Sequence, residues 1–293
     1  MAYSEGTLTQ LGGWIDSGIL PALRRGDRIV ELGDQEMNAG TSGAAVAGFV
    51  NRFDPTFTAA EFGSRLPVDP VRSRVFTSVI WKRCGLEYLS YDMTEAPGSV
   101  VFDLNFGTVP EHEAGRAGLV TNFGTSEHIA NQLNVFRVAH DLLSVGGVAI
   151  HNVPFAGMLN HGLFNYQPKF FFSLIVNNRY KLRHLEYTGP NLHSVFGAGN
   201  TVFDGDYIPW PSWSATPLHT GMMTLVIERR YPDGFVPPVD FAHGYFGDIP
   251  TGDLQALVGL EIPPHNAWAD AWRRRVTPSQ ISMTAGDWTR RPK

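Results

Sequence analysis

Four short apolar runs, each closing on an acid or an amide at a turn, constrain this chain more than any other feature. The first is Asp27-Arg-Ile-Val-Glu31-Leu-Gly33-Asp34-Gln35, a strand pattern that ends in an acid followed by a glycine. Leu86-Glu-Tyr-Leu-Ser-Tyr-Asp92, Ser99-Val-Val-Phe-Asp103-Leu-Asn105 and Leu119-Val-Thr-Asn122-Phe-Gly124 follow in order. In an open α/β sheet, ligands sit outside the carboxyl ends of the strands, where the strand order reverses. Repetition of polar strand ends therefore points to one site of nucleoside size.

The segments between these runs fit that architecture. Apolar residues recur at helical spacing in Leu8, Leu11, Trp14, Ile15 and Ile19, which predicts a helical lead-in over residues 1–25. Residues 41–53 and 71–83 read as helices, and the three prolines of 54–70 as a loop. Strands are expected at 86–91, 99–104, 118–122 and 147–153, with a helix over 127–143 stopped by Gly146-Gly147. A helix over 168–177 and strands at 180–187 and 222–230 complete the pattern. Alternation of this kind implies a sheet of about seven strands, mostly parallel with an antiparallel last strand, and helices on both faces. Residues 189–220, with Trp210-Pro-Ser-Trp213, read as an ordered lid or acceptor loop, and 231–293 as a C-terminal extension with helices near 254–258 and 267–276.

Bulk properties narrow the function. The 293 residues, 43% of them hydrophobic, suffice for one large core with additions. A formal net charge of −5 disfavours a surface built to neutralise phosphates, so no nucleic-acid partner is expected. The single cysteine, Cys84, suits a reducing compartment and reads as packing. No basic segment followed by an apolar run marks a signal peptide, and the 145–159 stretch is too short and too polar to span a membrane, so a cytoplasmic protein is expected.

Arg28-Ile-Val-Glu31-Leu-Gly33-Asp34, Asp92, Asp103, Asn122-Phe-Gly124 and the Gly146-Gly147 turn together resemble a class I, Rossmann-like S-adenosylmethionine-dependent methyltransferase over residues 26–230. Thr121-Asn-Phe-Gly-Thr-Ser-Glu-His128, His140-Asp141-Leu142 and His161-Gly-Leu-Phe-Asn165-Tyr166 are similar to a bacterial branch of these enzymes with no assigned acceptor. The sequence departs from the family in having one glycine in its first loop and Asn122 where many members end the fourth strand differently.

The resemblance implies S-adenosylmethionine as cofactor and a role for each strand end. Glu31 would accept from the ammonium, with Gly33, Asp34 and Gln35 in the first loop giving close backbone approach. Asp92, with Met93 beside it, would accept the ribose hydroxyls, and Asp103 and Leu104 would meet the adenine. Asn122, Phe123 and Gly124 would border the methionine moiety. For the acceptor, the residues after the fourth and fifth strands supply candidate bases: His128 first, then Glu127, His151 and His161. His140, mid-helix beside Asp141, reads as structural. Asn165, Tyr166, Trp210 and Trp213 are candidate acceptor contacts. The histidines lack the compact spacing of helical zinc sites, so no metal is expected. The expected reaction is methyl transfer to a small-molecule hydroxyl, on a carbohydrate or secondary metabolite, with a homodimer through the C-terminal extension possible in this arrangement. The competing readings are a nucleic-acid base methyltransferase, against which the absence of an Asp/Asn-Pro-Pro-aromatic motif after Leu119–Asn122 speaks, and a non-catalytic S-adenosylmethionine-binding protein.

Overall fold

A computed structural model describes residues 3–64, 75–96, 98–158, 161–189, 192–197 and 221–238. Eight strands form a single sheet: β1 (Arg28–Leu32), β2 (Glu87–Asp92), β3 (Ser99–Val101), β4 (Ala117–Phe123), β5 (Leu143–Ala156), β6 (Lys181–Gly189), β7 (Leu192–Gly197) and β8 (Gly221–Glu228). Their order is β3-β2-β1-β4-β5-β8-β6-β7. β1 to β5 run parallel, β8 is antiparallel to both β5 and β6, and β7 pairs antiparallel with β6. This is the expected Rossmann-like sheet with one strand more, because residues 192–197, read from sequence as part of a lid, form β7. The chain leaves β1 toward β3 and returns to β4 on the other side, which puts the switch point between the carboxyl ends of β1 and β4.

Alternation along the strands sends successive side chains to opposite faces, and each face has its helices. Helices α1 (Glu5–Asp16), α2 (Gly43–Val50) and α4 (Thr77–Arg83) bury Leu8, Leu11, Trp14, Phe49, Val50, Ile80 and Trp81 against Ile29, Leu119, Val148 and Ile150. A short turn, α3 (Glu61–Ser64), lies between α2 and α4. The other face carries α5 (Gln132–Leu142) and α6 (Pro168–Asn178), whose Phe136 and Phe171 pack on His151 of β5. Helix starts follow the local chemistry. Ser4 and Thr7 form a reciprocal capping box on α1, Asn131 caps α5, and Pro168 takes the first helical position of α6, where a missing N–H is harmless.

Three boundaries differ from the sequence reading. The helix expected over 127–143 is a single 3₁₀ turn, Ser126–His128, followed by α5. Gly146-Gly147 does not stop that helix but lies inside β5, where a Cβ on Gly147 would stand 2.6 Å from Ala117 O. There the β4–β5 register shifts, and the glycines allow it. β3 has only three residues, so Phe102 to Leu104 belong to the loop after it. The two helices expected in the C-terminal extension lie outside the described residues.

Candidate functional site

The carboxyl ends of β1 to β5 divide the expected site residues into a buried set and a rim. Glu31 belongs to the first. It is fully buried, and Tyr3 OH (2.7 Å), Trp81 Nε1–H (3.0 Å), Thr77 OH (2.6 Å) and Tyr88 OH (2.8 Å) all donate to its carboxylate. Burial pushes its carboxyl above the usual range, and these four bonds oppose the shift. An acid so enclosed ties Tyr3, just before α1, and α4 and β2 to β1. Four protein donors thus occupy the carboxylate that the sequence reading assigned to the cofactor ammonium.

Gly33 is needed for a different approach from the one expected. Its φ is +79°, and a Cβ there would stand 2.4 Å from Thr125 Oγ1, which itself donates to Leu32 O at 2.6 Å. The loop after β4 thus docks on Gly33. Asn122 is likewise enclosed. Its amide donates to Ser126 Oγ (2.8 Å) and His151 Nδ1 (3.1 Å), and its Oδ1 accepts from Ser126 N (3.0 Å). Phe123 packs on Tyr3, and the Gly124 N–H donates to Asn152 O.

His151, at 2% exposure, is pushed down to about 3 by burial, so it stays neutral with Nδ1 facing the Asn122 amide. It is a core histidine and not a rim base. Tyr166 is also buried, its hydroxyl donating to Gln132 Oε1 (2.6 Å) and lying within hydrogen-bond distance of Ser126 Oγ (2.8 Å). That removes it from the acceptor surface. His140, between Tyr180 OH and Asp233 O, is structural as expected. Leu104 is buried, and its carbonyl accepts from the Asn134 amide at 2.9 Å.

What remains at the rim falls in two groups. Over β1 to β3 stand Asp34, Asp92 and Asp103. Asp34 N–H donates to Asp92 Oδ2 at 2.8 Å, and Ser90 OH donates to Asp34 Oδ1. The other oxygen, Asp34 Oδ2, is buried and receives no hydrogen bond among the described residues, although the Ser99 hydroxyl, which donates to Thr94 O, stands close enough to favour the carboxylate. Burial raises the Asp34 carboxyl, the Ser90 and Ser99 hydroxyls oppose this, and the Asp92 and Glu36 charges add to it. Asp92 Oδ1 accepts from Thr94 N and Oγ1, and Asp103 Oδ1 from Asn105 N, both turn-forming bonds that leave part of each carboxylate outward. Gln35 is buried with Oε1 unpartnered. Met93 (61% exposed) and Phe106 (81% exposed) stand as apolar side chains on the loops after β2 and β3. Phe106 went unnoticed in sequence, although its place between Asn105 and Gly107 just past Asp103 was the available signal.

The second group follows β4 and β5. Glu127 is fully buried, and neither of its carboxylate oxygens has a hydrogen-bond partner among the described residues. Exposed His128 and His161 flank it, with ring centroids 5.0 Å apart, and His161 Nε2 lies 3.5 Å from Glu127 Oε1. The loop from His161 is clamped here: Leu163 N and Phe164 N donate to Glu127 O, and a Cβ on Gly162 would stand 2.8 Å from Glu127 Cγ. Leu163 and Phe164 expose apolar side chains, and Asn165 donates to Gly157 O. Trp210 and Trp213 lie outside the described residues. A separate surface cleft, lined by Val46, Val50, Phe57, Phe62, Val79 and Arg83, lies on the α2–α4 side away from these groups.

No protein-family model and no curated protein matches the chain. Solved structures do align with it. A protein assigned as a methyltransferase from Bacillus halodurans C-125 is 11% identical, with 78% of this chain and 99% of that one covered and a TM-score of 0.41. A geranyl diphosphate methyltransferase in complex with its cofactor SAM is 11% identical over 77% of this chain and 90% of that one, at a TM-score of 0.39. A 16S rRNA (adenine(1408)-N(1))-methyltransferase from Catenulisporales acidiphilia is 10% identical, covering 81% and 96%, at 0.32. These are distant likenesses, and the strand order above describes the fold without them.

Proposed function

We propose that the chain is an S-adenosylmethionine-dependent methyltransferase acting on a hydroxyl of a small molecule such as a carbohydrate or secondary metabolite. The observation that carries this reading is Asp34 Oδ2, a buried acceptor that receives no hydrogen bond among the described residues, set beside Asp92 at the carboxyl ends of β1 and β2. Such an oxygen costs free energy until a donor reaches it, and a ribose diol or an ammonium supplies donors. The residues fit the group: Asp34 and Asp92 would hold the hydroxyls or the ammonium, Asp103 the adenine amino group, and Met93 and Phe106 the flat faces of the base.

When bound, S-adenosylmethionine supplies a methyl already activated by its sulfonium. The protein's work is then alignment and removal of the acceptor proton. Glu127, His128 and His161 stand past the end of β4, and of these the exposed His128 is the favoured base. Leu163, Phe164 and Asn165 offer the acceptor an apolar wall with one polar edge, and Trp210 and Trp213 remain candidate contacts. Residues 26–230 would hold both halves of the site, and the protein would work in the cytoplasm. To test this, thermal denaturation is followed with and without S-adenosylhomocysteine. Asp92→Ala should fold yet lose the ligand-induced rise in Tm, and an equal rise in both proteins would refute the assignment.

A further inference from the structure

The geometry points to a divalent cation site formed by Glu127, His128 and His161. Their ligand atoms all lie within 4.8 Å of one another. Three observations carry this. First, Glu127 is a fully buried carboxylate with no hydrogen bond to either oxygen, and an uncompensated buried charge is costly unless a cation neutralises it. Second, its nearest cationic candidate, His161 Nε2, stands 3.5 Å from Oε1, well beyond the 2.7–2.9 Å typical of a charge-assisted hydrogen bond. That spacing does suit two ligands of one metal: donors at about 2.1 Å from a tetrahedral ion stand about 3.4 Å apart. Third, the Glu127 backbone carbonyl receives Leu163 N and Phe164 N, so the loop bearing His161 is fixed against the 3₁₀ turn bearing the other two residues.

Two imidazoles and one carboxylate suit zinc or a neighbouring late first-row divalent ion, and three protein ligands leave a position open to an exogenous oxygen. The sequence reading expected no metal because the spacing is not that of a helical motif. Here one turn supplies adjacent ligands and a loop 33 residues on supplies the third. The site is independent of the methyltransferase reading, but the two would meet at the acceptor: with a cation bound, His128 is a ligand, and it is a free base only in the metal-free protein.

Cobalt(II) serves as the probe, since its visible absorption reports ligation directly. The full-length protein, freed of metal, should bind one equivalent with a visible band that zinc abolishes by displacement. His161→Ala and His128→Ala should each weaken cobalt binding by about 100-fold or more, beyond the 10–100-fold typical of losing a supporting partner, whereas His112→Ala, at a histidine remote in sequence, should leave it unchanged. Circular dichroism checks that each variant is folded, and the two histidine variants back each other. Failure of the wild-type protein to bind cobalt stoichiometrically overturns the proposal, as does binding that survives in both histidine variants. Loss of S-adenosylhomocysteine binding alone would count against the proposed function and leave the cation site intact.

Discussion

Replacing Glu31 by alanine is expected to cost about 3–5 kcal/mol of folding stability, because four buried donors lose their acceptor at once and each unmade bond costs ~1–3 kcal/mol. Urea denaturation measures this, and a loss below about 1 kcal/mol would show that the hub is not structural. A second residue-scale expectation concerns His151 and His140. Burial holds His151 down to about 3 and His140 down to about 4, from an ordinary 6.5. Below pH 6.5 the unfolded chain takes up protons that the folded chain refuses. Stability is therefore full above about pH 6.5 and falls as pH drops toward 4, by up to ~1.4 kcal/mol per pH unit for each histidine. Urea titrations at pH 7, 6 and 5 read the slope, and His151→Asn should reduce it; a flat profile would contradict the buried neutral state. The sequence displayed both Glu31 and His151 as polar strand residues but not their partners. Tyr88, one of the Glu31 donors, is 57 residues away, and no local pattern announces a donor set assembled from Tyr3, α4 and β2.

Among the elements, the 3₁₀ turn after β4 and the loop after β5 carry Glu127, His128 and His161. Gly162 lets them touch, since a Cβ would meet both Cγ and the carbonyl of Glu127, at 2.8 and 3.0 Å. Gly162→Ala should therefore leave the sheet intact but displace His161, lowering cobalt affinity at least about tenfold (~1.4 kcal/mol) with little change in Tm. Unchanged affinity would mean that the loop position is not set by this contact. Strand identities were legible wherever apolar runs ended at Gly or Asp, as in β1, β2 and β4. They were not legible where a distant partner decides. Leu143 pairs with Ala117 before the register shift, so β5 starts where the expected helix ends, four residues ahead of the strand expected at 147. β7 exists because β6 offers it an edge. In the acceptor loop, the sequence singled out Asn165 and Tyr166, but packing turns Tyr166 inward and leaves Leu163 and Phe164 exposed.

At the scale of the whole molecule, the strand order places two groups along one rim: carboxylates over β1 to β3, and an acid with two histidines past β4. No helix among the described residues is long and apolar enough to cross a membrane. That Asp34, Asp92 and Asp103 share one rim was readable because strand ends in such a sheet converge, whatever the loops do. Which carboxylate is already satisfied was not, because that depends on donors brought from elsewhere: Glu31 has four, and Asp34 Oδ2 receives no hydrogen bond among the described residues.

The most direct measurement is a crystal structure of the full chain with S-adenosylhomocysteine. The ligand should lie across the carboxyl ends of β1, β2 and β3, with a donor within about 3.2 Å of Asp34 Oδ2 and Asp92 at its hydroxyls. Density for the ligand in the α2–α4 cleft, or a rim left empty at saturating ligand, would contradict the account.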